Sequence, residues 1–197
     1  MRTLLLATNN PGKVREFRRL LCGLSMDIVT PAEAGISLDV EETGSTYEEN
    51  ATLKAEAFAN AGDCLALADD SGLEVDALGG EPGALSARFG GERLDDRGRY
   101  ELLLRKLENV PGPERTARFR AVVAIAGPAL PDPRLFEGVV EGAIAFAPSG
   151  EGGFGYDPIF LLPTGKSAAE QSPEEKDATS HRGIALRAAR VYLETLV

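Results

Sequence analysis

Cys64-Leu65-Ala66-Leu67-Ala68-Asp69-Asp70-Ser71-Gly72 is the stretch on which the reading of this chain turns. An apolar run of that length reads as a buried strand, and the serine and glycine that follow predict a turn. The two acids are therefore expected where a strand meets its loop, the place where open α/β sheets hold ligands. Adjacent carboxylates there are costly unless cationic charge balances them, and a divalent metal would do so. The alternative is an Asx-type turn that merely closes the strand.

Working outward, Leu4–Ala7 reads as a first strand, and Pro11-Gly12 as a turn into a helix with Val14, Phe17, Leu20 and Leu21 on one face. Asp27–Val29 reads as a short second strand. Thr46-Tyr47-Glu48-Glu49 has capping-box spacing, and the helix it opens presents Tyr47, Ala51, Ala55 and Phe58 before stopping near Gly62. A further helix is expected over about 96–107, burying Tyr100, Leu103, Leu104 and Leu107. Arg115–Ala126 alternates Ala117, Phe119, Ala121, Val123 and Ile125 with more polar residues, a half-buried strand, and Leu135–Phe146 reads as its hairpin partner. A last helix begins near Ser180 and is expected to bury Ile184, Ala188, Val191 and Tyr192. Strands beside helices and then a long hairpin predict a mixed α/β sheet in one domain spanning 1–197.

The 197 residues are 43% hydrophobic and 26% charged, enough chain to bury a core without staples. No apolar stretch approaches the ~20 residues of a membrane span, and Met1–Ala7 meets Thr8-Asn9-Asn10 too soon for a signal peptide. A cytoplasmic protein is expected. Two cysteines make neither a disulfide framework nor a zinc site. A formal charge of −10 argues against a nucleic-acid partner, although metal ions and local lysines can reverse the sign inside a site for a small polyanion.

Five segments carry chemistry. Thr8-Asn9-Asn10-Pro11-Gly12-Lys13 joins a strand to a helix, so backbone N–H groups and Lys13 form a phosphate cradle or else an ordinary turn; Walker A spacing is absent. Glu41-Glu42-Thr43-Gly44 offers hard oxygen ligands for Mg²⁺ or Mn²⁺, or a favourable charge ahead of a helix. Lys54, on the stripe beside Asn50, reads as solvated. The third segment is the opening one, where Asp70 beside a metal would deprotonate a water and Ser71 would donate to a phosphate oxygen. In Gly152-Gly153-Phe154-Gly155-Tyr156-Asp157-Pro158, glycines permit close approach and Phe154 offers a stacking face, unless the ring simply serves the core. The fifth is Lys176 followed by Ser180-His181-Arg182-Gly183. Cations at a helix start suit an anion or an acceptor-rich base, while a lone histidine is also a common structural residue.

Taken together, Ala7–Lys13, Glu41–Gly44, Glu49-Asn50-Ala51, Ala68–Leu73, Phe154–Pro158 and Ser180–Gly183 resemble the inosine triphosphate pyrophosphatase family, enzymes for noncanonical purine nucleoside triphosphates. The resemblance runs from residue 7 to 183. It implies an elongated α/β fold of two lobes with a central substrate cleft, usually a homodimer. It also implies Mg²⁺-dependent cleavage of ITP, dITP and XTP to the monophosphate and pyrophosphate, with Mn²⁺ as a substitute metal. By the same resemblance, Thr8, Asn9, Asn10, Pro11, Gly12 and Lys13 would cradle the triphosphate, and Glu41 and Asp70 would hold the metal. Asp70 would also activate water, and Ser71 would touch the substrate. Phe154, Gly155, Tyr156, Asp157, Lys176, His181 and Arg182 would enclose and read the base. Asn9 departs from the glycine or serine expected there, and Asp177 adds a negative charge beside Lys176. Two rivals are a pyrophosphatase of the related septum-inhibitor family, acting on pyrimidine or modified bases, and a nucleotide sensor without turnover.

Overall fold

The structure is a computed structural model and describes residues 2–197. In chain order its strands and helices are β1 (Arg2–Leu6), α1 (Pro11–Leu20), β2 (Met26–Val29), α2 (Tyr47–Gly62), β3 (Leu65–Val75), α3 (Asp96–Lys106), β4 (Thr116–Ala126), β5 (Arg134–Ile144), β6 (Phe160–Leu161), α4 (Pro173–Thr179) and α5 (His181–Glu194). The strands form one sheet in the order β2-β1-β3-β4-β5-β6. Both β1 pairings, with β2 and with β3, are parallel, and β5 with β6 is antiparallel, so the sheet is mixed as expected. No helix among the described residues is long and apolar enough to cross a membrane.

The largest departure from expectation is in β3. The strand does not end at the acids: it runs unbroken through Asp69-Asp70-Ser71-Gly72 to Val75. Leu73 and Val75 resume the apolar pattern with no exposed surface, and β3 is hydrogen-bonded to a neighbour on each side. The β1 pairing covers only Leu65–Leu67, so at Ser71-Gly72 it is burial of the resumed apolar positions that outweighs the local turn preference of Ser-Gly. Asp69 and Asp70 thus stand in mid-strand rather than at its mouth, and the Asx-turn alternative falls with the turn.

The chain divides into two compact units: Met1–Asp70, Ala121–Gly138 and His181–Val197 form the first, Ser71–Arg120 and Val139–Ser180 the second. Each has its own core. The first packs Leu4, Leu6, Phe17, Leu67, Ile125 and Leu186. The second packs Leu73, Leu103, Phe119, Tyr156, Ile159 and Phe160, with the Phe119 and Phe160 rings tilted at 4.5 Å.

Helix α2 begins with the predicted capping box, Thr46 accepting from the Glu49 amide while the Glu49 carboxylate reaches back to the Thr46 amide. It ends at Gly62 as expected, with Asp63 capping it in a left-handed conformation at φ 46°. Thr46→Ala should cost about 1 kcal/mol. For a chain of this size that lowers the melting temperature by about 2–4 °C, measurable by calorimetry. In α5 the predicted stripe is wrong. Ala185, Leu186, Ala189 and Leu193 are buried, while Ile184 and Val191 are exposed. Small alanines let the helix lie close to its neighbours, so the contact runs along their side and the bulkier β-branched residues face away. In β4, Val122, Ala124 and Ala126 are buried along with Ala121, Val123 and Ile125, so only the first half of that strand has one solvated face.

Candidate active site

Successive side chains on a strand point to opposite faces, so the mid-strand position of the acids sends them to different partners. Asp69 meets α1 and α5. Its Oδ1 lies 2.9 Å from Lys13 Nζ and its Oδ2 accepts from Arg182 Nε at 3.0 Å. Arg182 Nη1 in turn donates to Glu16 Oε2 at 2.7 Å. Glu16, Asp69 and Arg182 are all buried, so the first unit contains a row of alternating charge, Glu16–Arg182–Asp69–Lys13. Burial alone would raise the Asp69 carboxyl, but Lys13, Arg182 and Lys54 reverse this and hold it well below the usual carboxylate range. Burial disfavours the Arg182 cation, and Asp69 and Glu16 more than compensate. For Lys13 burial prevails over Asp69, aided by the positive charges of Arg182 and Lys54, and the ammonium titrates below the ordinary lysine value.

Asp70 meets α2. Asn50 Nδ2 donates to its Oδ2 at 3.2 Å, and Lys54 Nζ lies 3.6 Å from its Oδ1. The same ammonium is 2.6 Å from Glu42 Oε1. Asn50 is itself fixed by the Gly44 amide, which donates to its Oδ1 at 2.8 Å. A Cβ on Gly44 would come within 2.6 Å of that oxygen, so residue 44 has to be glycine for Asn50 to reach Asp70. Burial pushes the Asp70 carboxyl up; Lys54 opposes this and Glu42 adds to it, and the net direction is upward. A carboxylate raised towards neutrality is a stronger base than an exposed one. Glu41, by contrast, is exposed, and its carbonyl accepts from the Thr43 amide. The carboxylate that shares a cation with Asp70 is that of Glu42.

The loop after β1 is less open than a bare helix start. The Asn10 side chain caps α1, accepting from the Gly12 and Lys13 amides at 2.8 and 3.1 Å. Thr8 Oγ1 accepts from the Asn10 amide, and Pro11 has no amide hydrogen. The cationic group that this segment offers an anion is thus the Lys13 ammonium rather than a row of free amides. Ser71 follows Asp70 on β3, partly buried.

The second unit holds the aromatic segment. Gly153 takes φ 74°, and a Cβ there would sit 2.1 Å from Asp157 Oδ2, so only glycine lets this turn close on the carboxylate. Asp157 Oδ2 accepts from the Phe154 amide at 2.9 Å and from Lys176 Nζ at 2.5 Å. The Lys176 ammonium also lies 4.7 Å from the Phe154 ring centroid. Asp157 therefore holds Lys176 against one ring. Gly155 donates to Asp96 Oδ2 at 2.8 Å. The Tyr156 ring belongs to the core and its hydroxyl donates to the Ser86 carbonyl, so this side chain is tied up in packing. His181 is buried as the first residue of α5.

Of the residues in these sites, the sequence reading assigned no role to Glu16, offered Glu42 only as one of two possible ligands, placed Asn50 only within a resembling segment, and took Lys54 for a solvated lysine. The available signal was position. Glu16 falls three residues after Lys13 and next to Phe17 on the buried side of α1, and Lys54 follows Asn50 by one turn of α2.

Among the described residues no three His, Cys, Asp or Glu side chains gather as a metal cage. The two carboxylates of Glu42 and Asp70 nevertheless fit Mg²⁺, which is commonly held by one or two carboxylates, several waters and the substrate phosphates. The Lys54 ammonium already bound to both of them is a stand-in cation.

A family model described as the Ham1 family matches residues 4–192. The dITP/XTP pyrophosphatase of Bacillus subtilis is 46% identical over 195 residues, covering 98% of each chain. That of Thermus thermophilus is 53% identical over 188 residues, covering 94% of this chain and 88% of the relative. The structure of a HAM1 protein from Coxiella burnetii matches with a TM-score of 0.90 at 41% identity, covering 99% of this chain and 100% of that one.

Proposed function

The chain belongs to the Ham1 family, and on that premise we propose that it hydrolyses dITP, XTP and ITP to the nucleoside monophosphate and pyrophosphate with Mg²⁺ as cofactor. The observation that carries the reading is the pair Glu42–Asp70, two carboxylates converging on one cation, with Lys13 on the strand's other partner helix. Glu42, rather than the exposed Glu41, joins Asp70 as metal ligand. When bound, the metal would neutralise phosphate oxygens and ease ionisation of water. Asp70, oriented by Asn50, takes the proton of the attacking water. The water oxygen bonds to the α-phosphorus, and the bond from that phosphorus to the bridging oxygen breaks to release pyrophosphate. Lys13 supplies positive charge to the phosphates, and Ser71 donates a hydrogen bond.

In the second unit, Phe154 offers its ring to a planar base and Lys176 its ammonium. An ammonium donates and cannot accept, so it suits the keto oxygens of hypoxanthine and xanthine better than the amine of adenine. A mismatched, buried polar group costs roughly 1–3 kcal/mol. The reading extends to a cytoplasmic homodimer acting on free nucleotides.

Incubation with dITP and Mg²⁺, with separate assays for pyrophosphate and orthophosphate, tests the reaction. Pyrophosphate in step with monophosphate is expected, and its loss on chelation of the metal. Orthophosphate alone means a phosphatase, and neither product means a sensor.

A further inference from the structure

Lys54 was expected to be a solvated lysine, yet it is nearly enclosed, with 13% of its side chain exposed, and its ammonium touches both carboxylates of the pair just described. Three features hold it there. The Glu42 contact is short, at 2.6 Å. Asp70 is aimed at it by Asn50, which is aimed by Gly44. And Asn50 and Lys54 are one turn apart on α2, so a single rigid element presents both groups to the same carboxylate.

We infer that Lys54 is the resident counter-ion of the Glu42–Asp70 pair and must leave it before a divalent cation can bind. The inference rests on the proposed metal reading. A divalent ion seated on the same two carboxylates would meet an ammonium within a few ångströms, and like charges at that range repel strongly where water is scarce. Free metal is therefore resisted. A metal that arrives with a triphosphate brings its own anion, on which the displaced ammonium finds a new partner. Lys54 in this way couples metal binding to nucleotide binding, and it keeps the carboxylate pair neutralised between turnovers.

The test is a Mn²⁺ titration without nucleotide, followed by the electron paramagnetic resonance signal of free Mn²⁺. It compares the unmodified protein with Lys54→Met, which keeps the aliphatic stem, and Lys54→Arg, which keeps the charge. Lys54→Met should bind Mn²⁺ at least about tenfold more tightly, equivalent to ~1.4 kcal/mol, and Lys54→Arg no more tightly than the unmodified chain. If Lys54→Met is unfolded without metal, Mn²⁺ should restore its circular dichroism and a cooperative melt. Equal or weaker binding by Lys54→Met overturns the counter-ion role, as does a variant that stays unfolded with Mn²⁺. In that case a Glu42→Gln variant that loses the Mn²⁺ bound by the unmodified chain leaves the metal reading standing. No Mn²⁺ binding by any of these proteins, with or without dITP, overturns both.

Discussion

Asp70→Asn should lower kcat for pyrophosphate release from dITP by about 10²–10⁴-fold, the range for loss of a positioned general base, while the nucleotide still binds. The substitution is isosteric and keeps one oxygen, which can still accept from Asn50 at the Oδ2 position while the amide faces Lys54, so the fold is expected to survive. What it removes is the negative charge, and with it both the proposed proton acceptor and one proposed metal ligand. The raised carboxyl of Asp70 is the mark of a group whose charge is held at a cost to the fold. Steady-state kinetics and a nucleotide-binding isotherm on the same sample separate the two effects. An unchanged kcat would remove Asp70 from the mechanism.

The same substitution one residue earlier should do the opposite. Asp69→Asn leaves the Lys13 and Arg182 cations facing an amide in a buried setting. Breaking a buried ion pair from one side costs roughly 3–5 kcal/mol. Glu16 still faces Arg182, so the lower end applies, and the melting temperature should fall by about 6–12 °C at 2–4 °C per kcal/mol. The pH dependence gives a second check. The folded Asp69 carboxyl lies below its unfolded value, which is ~3.9 for a free aspartate. Its stabilisation is therefore complete above about pH 5 and is lost as pH falls through the folded value. The gap between the two melting curves should be constant from neutral pH down to that point and narrow below it. A gap that widens on acidification would contradict the assignment.

The expected division of two adjacent aspartates between turnover and stability follows from the strand that carries them, which gives each its own set of partners. Much of what surrounds them was legible in the sequence. The capping box of α2, the buried faces of α1, α2 and α3, the long strands β4 and β5 and the mixed sheet all rest on local periodicity and cap chemistry, which a one-dimensional pattern records. The turn expected at Ser71-Gly72 was not there, because β3 resumes a buried apolar pattern at Leu73 and Val75, and the side chains that cover those positions come from segments distant in sequence. The buried stripe of α5 was misread for a similar reason: alanine carries little hydrophobic signal, and only close packing reveals that it marks the contact.

By itself the sequence determined that Asp69-Asp70 follows a buried apolar run, that Lys13 opens a helix, and that the ordered segments from residue 7 to 183 resemble one family of nucleotide pyrophosphatases. It could not say which carboxylate meets which cation. Lys13, Asp69 and Arg182 are brought together from positions more than a hundred residues apart in the extreme case, and Glu42, Asn50, Lys54 and Asp70 from a loop, a helix and a strand. Charge partners of this kind are chosen by distance and burial in the folded chain, where alternation along β3 sends one aspartate to the lysine–arginine row and the other to the carboxylate–ammonium pair. Composition shows that the charges exist; only the tertiary structure decides which of them are neutralised in a buried row and which two carboxylates share a single lysine.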